Sequence, residues 1–441
     1  MEKALLIGAN LNDGEDYKLS LNELEALAQA CDMEVVGVIE QNLEQVHKAF
    51  YIGTGKVEEV KEAAESLDAE VVIFDNSLSP MQLRNLQDKI GKPILDRSTL
   101  ILDIFARRAR SREAKLQVEV ARLQYMLPRL VGLHAALSRQ GGGSGSLSNK
   151  GAGEKKLELD RRVLEHRLAE YRRELKEVTN QRKTQRKQRA ASGMPRIALV
   201  GYTNAGKSTL MNAMLDLYGA EEAGAEEKKV MEKDMLFATL DTTVRRIEPD
   251  NHHAFLLSDT VGFIHKLPHH LIDAFHSTLE EAKEADMLLL IVDYSDEHYK
   301  EQIAVTEQTL KELKINDVPI IYVYNKADKV SVDDIPDIPG AFSRMAEENM
   351  PHKIPVVTQD SIYLSAREKI GMEELLCLIE KKLSAGYREC TMLIPYTDGK
   401  AVSYLNEHAV VYETQYREDG VWLRMNCRVE DYRYYEGYVE G

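Results

Sequence analysis

Long apolar runs are missing from this 441-residue sequence. A membrane-crossing helix needs about 20 consecutive apolar residues, and no stretch approaches that, so a helical membrane span is excluded. The opening Met1-Glu2-Lys3-Ala4-Leu5-Leu6-Ile7-Gly8 runs straight into a strand pattern and lacks the regions of a signal peptide; a cytoplasmic location is expected. Cysteine is scarce too. Cys31, Cys377, Cys390 and Cys427 are scattered, without a C-x-x-C pair or histidines at ligand spacing, which argues against a disulfide frame or a zinc site and for reduced thiols. Positive charge is in deficit: 57 Lys and Arg face 73 Asp and Glu, a formal net charge of −16. Nonspecific nucleic-acid binding by the whole surface is thereby disfavoured. The basic side chains are nonetheless concentrated mid-chain, in Arg107, Arg108, Arg110 and Arg112 and in residues 181–190, which carry five basic residues and no acid.

At this length two to four domains are expected. Residues 1–105 alternate strand and helix: strands at Ala4–Ile7, Glu34–Gly37, Glu70–Phe74 and Pro93–Leu95, helices at Leu19–Ala30, Lys56–Ser66 and Pro80–Ile90. That is the pattern of a small α/β domain with a parallel sheet. Its loop Tyr51-Ile52-Gly53-Thr54-Gly55-Lys56 opens a helix and is either a plain turn or an anion site. Across residues 106–190, Leu116, Val120, Leu123, Leu127 and Leu130 step by four and three, as do Leu164, Leu168, Tyr171, Leu175 and Val178. Each of two long helices thus has one apolar seam, and the pair is expected to form an antiparallel hairpin. The tip is small and polar, from Gln140-Gly141-Gly142-Gly143 to Gly151-Ala152-Gly153-Glu154. Two readings of it stay open: a flexible linker, or a thin element, flanked by Arg139, Lys150, Lys155 and Lys156, that enters an RNA-lined space. Residues 195–385 form a second α/β domain. Residues 388–441 form a small α+β unit with strands at Thr391–Ile394, Val410–Glu413 and Gly420–Met425 and a helix at Lys400–Glu407, where Trp422 and the tyrosines are expected in the core.

The 195–385 domain carries the chemistry. Gly201-Tyr202-Thr203-Asn204-Ala205-Gly206-Lys207-Ser208 reads G-x-x-x-x-G-K-S between the apolar strand Arg196–Val200 and a helical pattern. Glycines let backbone N–H groups wrap phosphates, Lys207 reaches the β/γ oxygens and the Ser208 hydroxyl ligates Mg²⁺. Asn325-Lys326-Ala327-Asp328 follows the strand Ile320–Tyr324. An aspartate there accepts from both N1–H and the exocyclic amine of guanine, which adenine lacks, while Asn325 and the Lys326 stem hold the ring. The nucleotide implied is GTP. Asp259-Thr260-Val261-Gly262 ends another apolar run; its carboxylate is placed to hold Mg²⁺ through water and its glycine N–H to meet the γ-phosphate. Ser365-Ala366-Arg367 backs guanine with main-chain N–H groups. The acidic, Gly-rich segment Tyr218–Asp234 reads as a mobile loop, and Phe237-Ala238-Thr239-Leu240-Asp241 after it as a switch.

Hydrolysis needs charge neutralisation and an oriented water. Lys207, the phosphate loop and Gly262 meet the first need, with Mg²⁺. Phe263 stands where many GTPases carry a water-orienting glutamine, and a phenyl ring cannot hydrogen-bond water, so intrinsic turnover is expected to be slow and a partner or another residue must complete the site. One function class these residues allow is a switch that grips a protein client, with hydrolysis resetting the grip.

Beyond these motifs the chain resembles the HflX family of ribosome-associated GTPases over nearly its whole length. The resemblance rests on Tyr51–Lys56, Phe74-Asp75-Asn76-Ser77-Leu78-Ser79-Pro80, Leu95-Asp96-Arg97, Ile101-Leu102-Asp103-Ile104-Phe105, Lys115-Leu116-Gln117-Val118-Glu119, Leu137–Gly143, the phosphate loop and Phe237–Asp241. It implies an N-terminal family domain, a helical hairpin approaching the catalytic centre of the large ribosomal subunit, a GTPase domain stimulated by that subunit, and a small C-terminal domain. It implies that the GTP-bound protein, a monomer, splits stalled or idle ribosomes under stress. Thr239 matches the family's switch threonine and is assigned to Mg²⁺, with Thr243 the alternative. RNA contacts are expected at Arg139, Gly141, Gly142, Gly143, Lys150, Lys155, Lys156, Arg182, Lys183, Arg186 and Lys187. Three departures stand out: Thr242 where proline is usual, a longer and more acidic loop at Tyr218–Asp234, and a charged tip at Gly151–Lys156.

Overall fold

The computed structural model describes residues 1–11, 17–140, 150–190, 194–219, 237, 242–250, 252–266, 276–331, 335, 342–343, 354–385 and 387–440; side chains at 130–140, 150–158, 160, 181–190, 276–279, 342–343, 384–385, 387, 407, 410, 428 and 430 are outside that description. Two compact units result: residues 1–179 with 233–241 and 261–279, and residues 180–232 with 242–260 and 280–441.

The first unit is built on a parallel four-stranded sheet in the order β2-β1-β3-β4, with β1 Glu2–Asn10, β2 Met33–Asn42, β3 Val71–Phe74 and β4 Ile94–Asp96. Helices cover both faces, so β1 is buried on both sides and alternates its side chains between two cores. Ala4 and Leu6 meet α1 (Tyr17–Ala30) and α4 (Arg97–Arg108); Leu5 and Ile7 meet α2 (Thr54–Ser66) and α3 (Pro80–Ile90). Local chemistry sets the helix limits. Ser79 and Gln82 close a capping box at the start of α3, Pro80 takes its first position, and Gly91 ends it at φ +77°.

Helix α4 is not anticipated from the sequence, because its basic C-terminal end reads as the start of the hairpin. Asp96 caps it, accepting from Thr99 N at 2.9 Å, and Leu100, Ile101, Ile104 and Phe105 are buried against the sheet. The hairpin follows as α5 (Arg112–Gln140) and α6 (Lys150–Ala190). Val120 and Leu123 pack on Leu168, with Leu127, Leu164 and Tyr171 around them, while Arg112 pairs with Glu174 at 2.9 Å. Those pairings run antiparallel, as the heptad-like steps predict. The tip residues 141–149 lie outside the described residues.

The second unit holds an eight-stranded sheet in the order β10-β11-β12-β9-β8-β5-β7-β6. Its strands are β5 Arg196–Gly201, β6 Thr243–Ile247, β7 Phe255–Asp259, β8 Met287–Asp293, β9 Ile320–Asn325, β10 Phe342–Ser343, β11 Val356–Val357 and β12 Ser361–Tyr363. β7, β5, β8, β9 and β12 run parallel, and β6 is antiparallel to β7. Helices α7 (Lys207–Tyr218), α8 (His276–Lys283, of which residues 280–283 belong to this unit), α9 (Tyr299–Glu312) and α10 (Met372–Ala385) connect them. The sheet is doubly wound, so the carboxyl ends of β5, β7, β8 and β9 form one edge, where ligands of such folds bind.

The same unit carries a four-stranded antiparallel sheet, β13 Tyr387–Ile394, β14 Val410–Arg417, β15 Gly420–Arg428 and β16 Val439–Glu440, with α11 (Gly399–His408) and α12 (Val429–Tyr434). Its core is Cys390, Met392, Ile394, Leu405, Val421, Leu423, Met425 and Cys427. The aromatic expectation holds in part: Tyr432, Tyr435 and Tyr438 are half-buried against this core, whereas Tyr396, Tyr404, Tyr412, Tyr416 and Tyr434 are exposed and Trp422 is half-buried under the Arg417 guanidinium.

Candidate functional site

β5 delivers the phosphate loop to the middle of the sheet edge. The strand ends at Gly201, whose φ is +145°; a Cβ there would lie 2.3 Å from Ile291 O, so only glycine lets β5 and β8 approach. Gly206, at φ +96°, begins α7, and a Cβ on it would meet Asn325 Nδ2 at 2.2 Å. Between them Asn204 adopts φ +60° and Ala205 is buried. Thr203 Oγ1 is buried with no hydrogen-bond partner among the described residues. Lys207 is buried; its Nζ donates to Gly201 O at 3.0 Å and Tyr202 O at 2.6 Å. Burial pushes this ammonium down to about 8, against the opposing pull of Asp259.

Ser208 Oγ donates to Asp259 Oδ2 at 2.8 Å. Asp259 is fully buried at the end of β7, and Thr260 beside it is fixed by donating to Leu199 O at 2.6 Å. A hydroxyl and a carboxylate meeting next to a buried lysine form a hard-oxygen donor set that fits a small divalent cation. Thr243 lies opposite Asp259 across the β6–β7 ladder, with its Oγ1 buried and lacking a partner among the described residues. Ala238, Thr239, Leu240 and Asp241 lie outside the described residues.

The segments Asn325–Asp328 and Ser365–Arg367 are bolted to the phosphate loop. Asn325 Nδ2 donates to Ala205 O at 3.0 Å, and Asn325 Oδ1 accepts from Ala366 N at 2.9 Å. Lys326, at φ +59°, donates to Asn204 O at 2.8 Å and to Asp293 Oδ2 at 2.6 Å, which lays its aliphatic stem along the loop. Asp328 is half-buried in a short 3₁₀ turn, Ala327–Lys329, and accepts no hydrogen bond from a described residue. Ser365 and Ala366 are buried, with Ser365 N donating to Ile370 O; Arg367 is exposed. One asparagine amide thus joins three of the four sequence motifs.

The fourth motif behaves differently. Val261 to Lys266 and Phe237 belong to the first unit. Phe237, Val261 and Ile264 are buried in one core with Leu24 and Leu27 of α1, Ile101 and Phe105 of α4 and Val118 of α5; the Phe105 and Phe237 rings meet edge to face at 4.7 Å. Phe263 is among the most deeply buried side chains. A charged network fastens the segment further. Buried Arg97 donates to Asp75 Oδ1 at 2.6 Å, to Glu23, to Ser20 O at 3.2 Å and to His265 O at 3.2 Å. Lys266 Nζ reaches Asp75 Oδ2 at 3.2 Å, and Ser20 Oγ donates to the same oxygen at 2.7 Å. Sequence reasoning found no role for Asp75 and Arg97. The available signal was a charge placed directly after the apolar strands Val71–Phe74 and Ile94–Asp96.

The hairpin candidates Gly141, Gly142 and Gly143 lie outside the described residues. Arg139, Lys150, Lys155, Lys156, Arg182, Lys183, Arg186 and Lys187 are placed on α5 and α6 by their backbone alone.

A phosphate loop on the central strand, a buried carboxylate on its neighbour and an Asn-Lys-x-Asp turn tied back to that loop define a P-loop GTPase. Residues 18–106 match the family described as GTP-binding GTPase N-terminal, residues 108–189 the GTP-binding GTPase Middle Region, and residues 196–326 the 50S ribosome-binding GTPase. Proteins named GTPase HflX from Caldanaerobacter subterraneus subsp. tengcongensis, Lacrimispora saccharolytica and Escherichia coli are 41%, 40% and 36% identical to it over 98%, 96% and 98% of this chain, which span 92%, 92% and 95% of those relatives. The chain belongs to the HflX family of GTPases, and it binds and hydrolyses GTP. Among the described residues no helix is long and apolar enough to cross a membrane.

Proposed function

We propose that this GTPase acts on ribosomes in the cytoplasm: its GTP-bound form engages the large subunit and splits stalled or idle ribosomes, and the subunit in turn completes the hydrolytic site. The observation that supports the subunit as partner is the match of residues 196–326 to the 50S ribosome-binding GTPase description, joined in one chain to a long hairpin whose α6 ends in the basic run 181–190. In this reading the loop Gly201–Ser208 wraps the phosphates and Lys207 neutralises the β/γ oxygens. Phe237–Asp241 and Asp259–Gly262 sense the γ-phosphate, with the Gly262 N–H stabilising its developing charge. Asp328 reads guanine, the Lys326 stem and Asn325 support it, and Ser365, Ala366 and Arg367 back the ring.

Ser208 and Asp259 would hold Mg²⁺, the carboxylate through water, together with Thr239 or Thr243. When bound, the ion supplies positive charge at the β/γ oxygens. The chain's own residues supply the rest of the charge through Lys207 and loop N–H groups, but no side chain at position 263 can orient water, since Phe263 is apolar and buried. Slow intrinsic turnover and stimulation by the subunit follow from that.

Co-sedimentation tests the reading. With a nonhydrolysable GTP analogue the protein should pellet with purified large subunits, with GDP it should stay in the supernatant, and large subunits should raise GTP turnover. Equal partitioning in both nucleotide states, with unchanged turnover, would instead leave the protein-client switch as the function.

A further inference from the structure

The fold brings together a second set of ligand-type side chains, none of them part of a nucleotide motif. Helix α10 carries Glu373, Cys377 and Glu380 at positions i, i+4 and i+7, which share one face. The turn between β6 and β7, closed by His252 N donating to Pro249 O, sets His252 and His253 over that face. His252 Nε2 lies 3.1 Å from Glu373 Oε1, His252 Nδ1 lies 2.6 Å from Glu380 Oε2, and His253 Nδ1 lies 2.8 Å from Glu380 Oε1. Ligand atoms of His252, Glu373 and Cys377 all lie within 4.8 Å of one another.

A plain ion-pair clasp between turn and helix accounts for the histidine–glutamate contacts alone. It leaves two things without a reason: the thiol, and the way each ligand is held from behind. Zinc binds nitrogen at about 2.0–2.1 Å and carboxylate oxygen at about 2.0–2.2 Å in a tetrahedron, whose edges are therefore roughly 3.3–3.5 Å. The His252 Nε2 to Glu373 Oε1 separation of 3.1 Å is already close to such an edge. Glu380 on Nδ1 is the carboxylate that metal-ligating imidazoles characteristically carry behind them; it fixes the tautomer that turns Nε2 to the ion. His253 orients Glu380 in its turn. Tyr218 Oη donates to Glu373 Oε2 at 3.2 Å, which steers Oε1 inward. Cys377 is the exposed cysteine of the four, open to an ion from solvent, and a coordinated divalent cation draws out its thiolate.

We propose that His252 Nε2, Glu373 Oε1 and Cys377 Sγ bind one zinc-class divalent transition metal ion, with Glu380 and Tyr218 as outer partners and water as the fourth ligand. Binding replaces the Nε2 proton of His252 and the Cys377 proton with the metal. The ion ties the C-terminal end of α7, the β6–β7 turn and α10 together within the GTPase unit. None of these residues belongs to the nucleotide site, so the proposal stands independently of the ribosomal function.

The test uses metal-stripped full-length protein and Co²⁺ as the spectroscopic probe, displaced by Zn²⁺. Wild type should bind one equivalent of Co²⁺ with a thiolate-to-cobalt charge-transfer band in the near ultraviolet, bleached by one equivalent of Zn²⁺ and unaffected by excess Mg²⁺. Cys377→Ser should lose the band, His252→Ala should lower affinity at least about tenfold, and Glu380→Gln should lower it by about ten- to a hundredfold through the outer contact. Zn²⁺ should raise the unfolding temperature of wild type and not of Cys377→Ser. The remaining thiol pair, Cys390 and Cys427 with sulfurs 3.6 Å apart, is the competing source of such a band, and Cys390→Ala should leave it intact. A band that survives Cys377→Ser, or binding indifferent to His252→Ala, would overturn the assignment and leave the cluster a salt-bridged clasp.

Discussion

In the proposed function Asp328 and Lys207 carry separable parts of recognition, and each yields a measurable consequence. Asp328→Asn exchanges one acceptor for a donor. Preference should move from GTP toward xanthosine triphosphate by a few kcal/mol, read by competition binding; unchanged GTP affinity would remove Asp328 from the base site. Lys207→Ala deprives the β/γ oxygens of their cation and should cut turnover at least about a hundredfold in a phosphate-release assay. Lys207 also makes nucleotide binding depend on pH. Its ammonium titrates at about 8 in the free protein because of burial, and bound phosphates would hold it charged to higher pH. Affinity should therefore be at full strength below pH 8 and fall as pH rises beyond it, approaching tenfold per unit. Calorimetry in buffers of different ionisation heat should record proton uptake on binding above pH 8; affinity flat from pH 7 to 9 would contradict the assignment. The motifs themselves were legible in the sequence because each is short and follows its own strand. The Asn325 bridge was not, since its partners Ala205 and Ala366 stand 120 and 41 residues away.

At the scale of elements, periodicity anticipated the alternating N-terminal domain, the two seams of the hairpin and the strand that leads into each motif. It missed α4, because its exposed residues, Ala106 and Arg107, lie in the basic run that reads as the start of the hairpin. It also missed why the charges at positions 75 and 97 interrupt apolar stretches: they meet only when β3, β4, α1 and residues 265–266 are assembled. Removing one partner of a buried ion pair leaves an uncompensated charge, so Arg97→Ala should destabilise the protein by about 3–5 kcal/mol. Lys266→Ala leaves Asp75 with Arg97 and Ser20, and its partly exposed ammonium should cost no more than about 1 kcal/mol. Urea unfolding of both variants measures the contrast; equal losses would mean that the network is no buried hub. Phe237→Ala should release the switch from Phe105 with a loss near that of other buried aromatic truncations, about 3–5 kcal/mol.

At the scale of the molecule, the hairpin reaches the ribosome in the proposed function and the GTPase unit sets when. Replacing Gly141, Gly142 and Gly143 with alanines restricts φ and thickens the tip, so subunit splitting followed by light scattering should weaken while GTP affinity holds. Wild-type splitting would make the tip a connector. Neutralising Arg182, Lys183, Arg186 and Lys187 should instead lower ribosome affinity and flatten its salt dependence by roughly one unit of slope for each phosphate that is no longer neutralised.

The shared burial of Phe237, Val261 and Ile264 with α1, α4 and α5 also imposes a reciprocity. If the γ-phosphate displaces residues 261–266 from that core, any ligand of the N-terminal domain that distinguishes the two states is coupled to GTP, by the same amount in both directions. A ligand of residues 1–105 that tightened GTP tenfold would itself be held tenfold more firmly once GTP was bound, about 1.4 kcal/mol in either direction. The N-terminal domain is then a gauge as much as a handle: occupancy at one end can be read as a change in grip at the other.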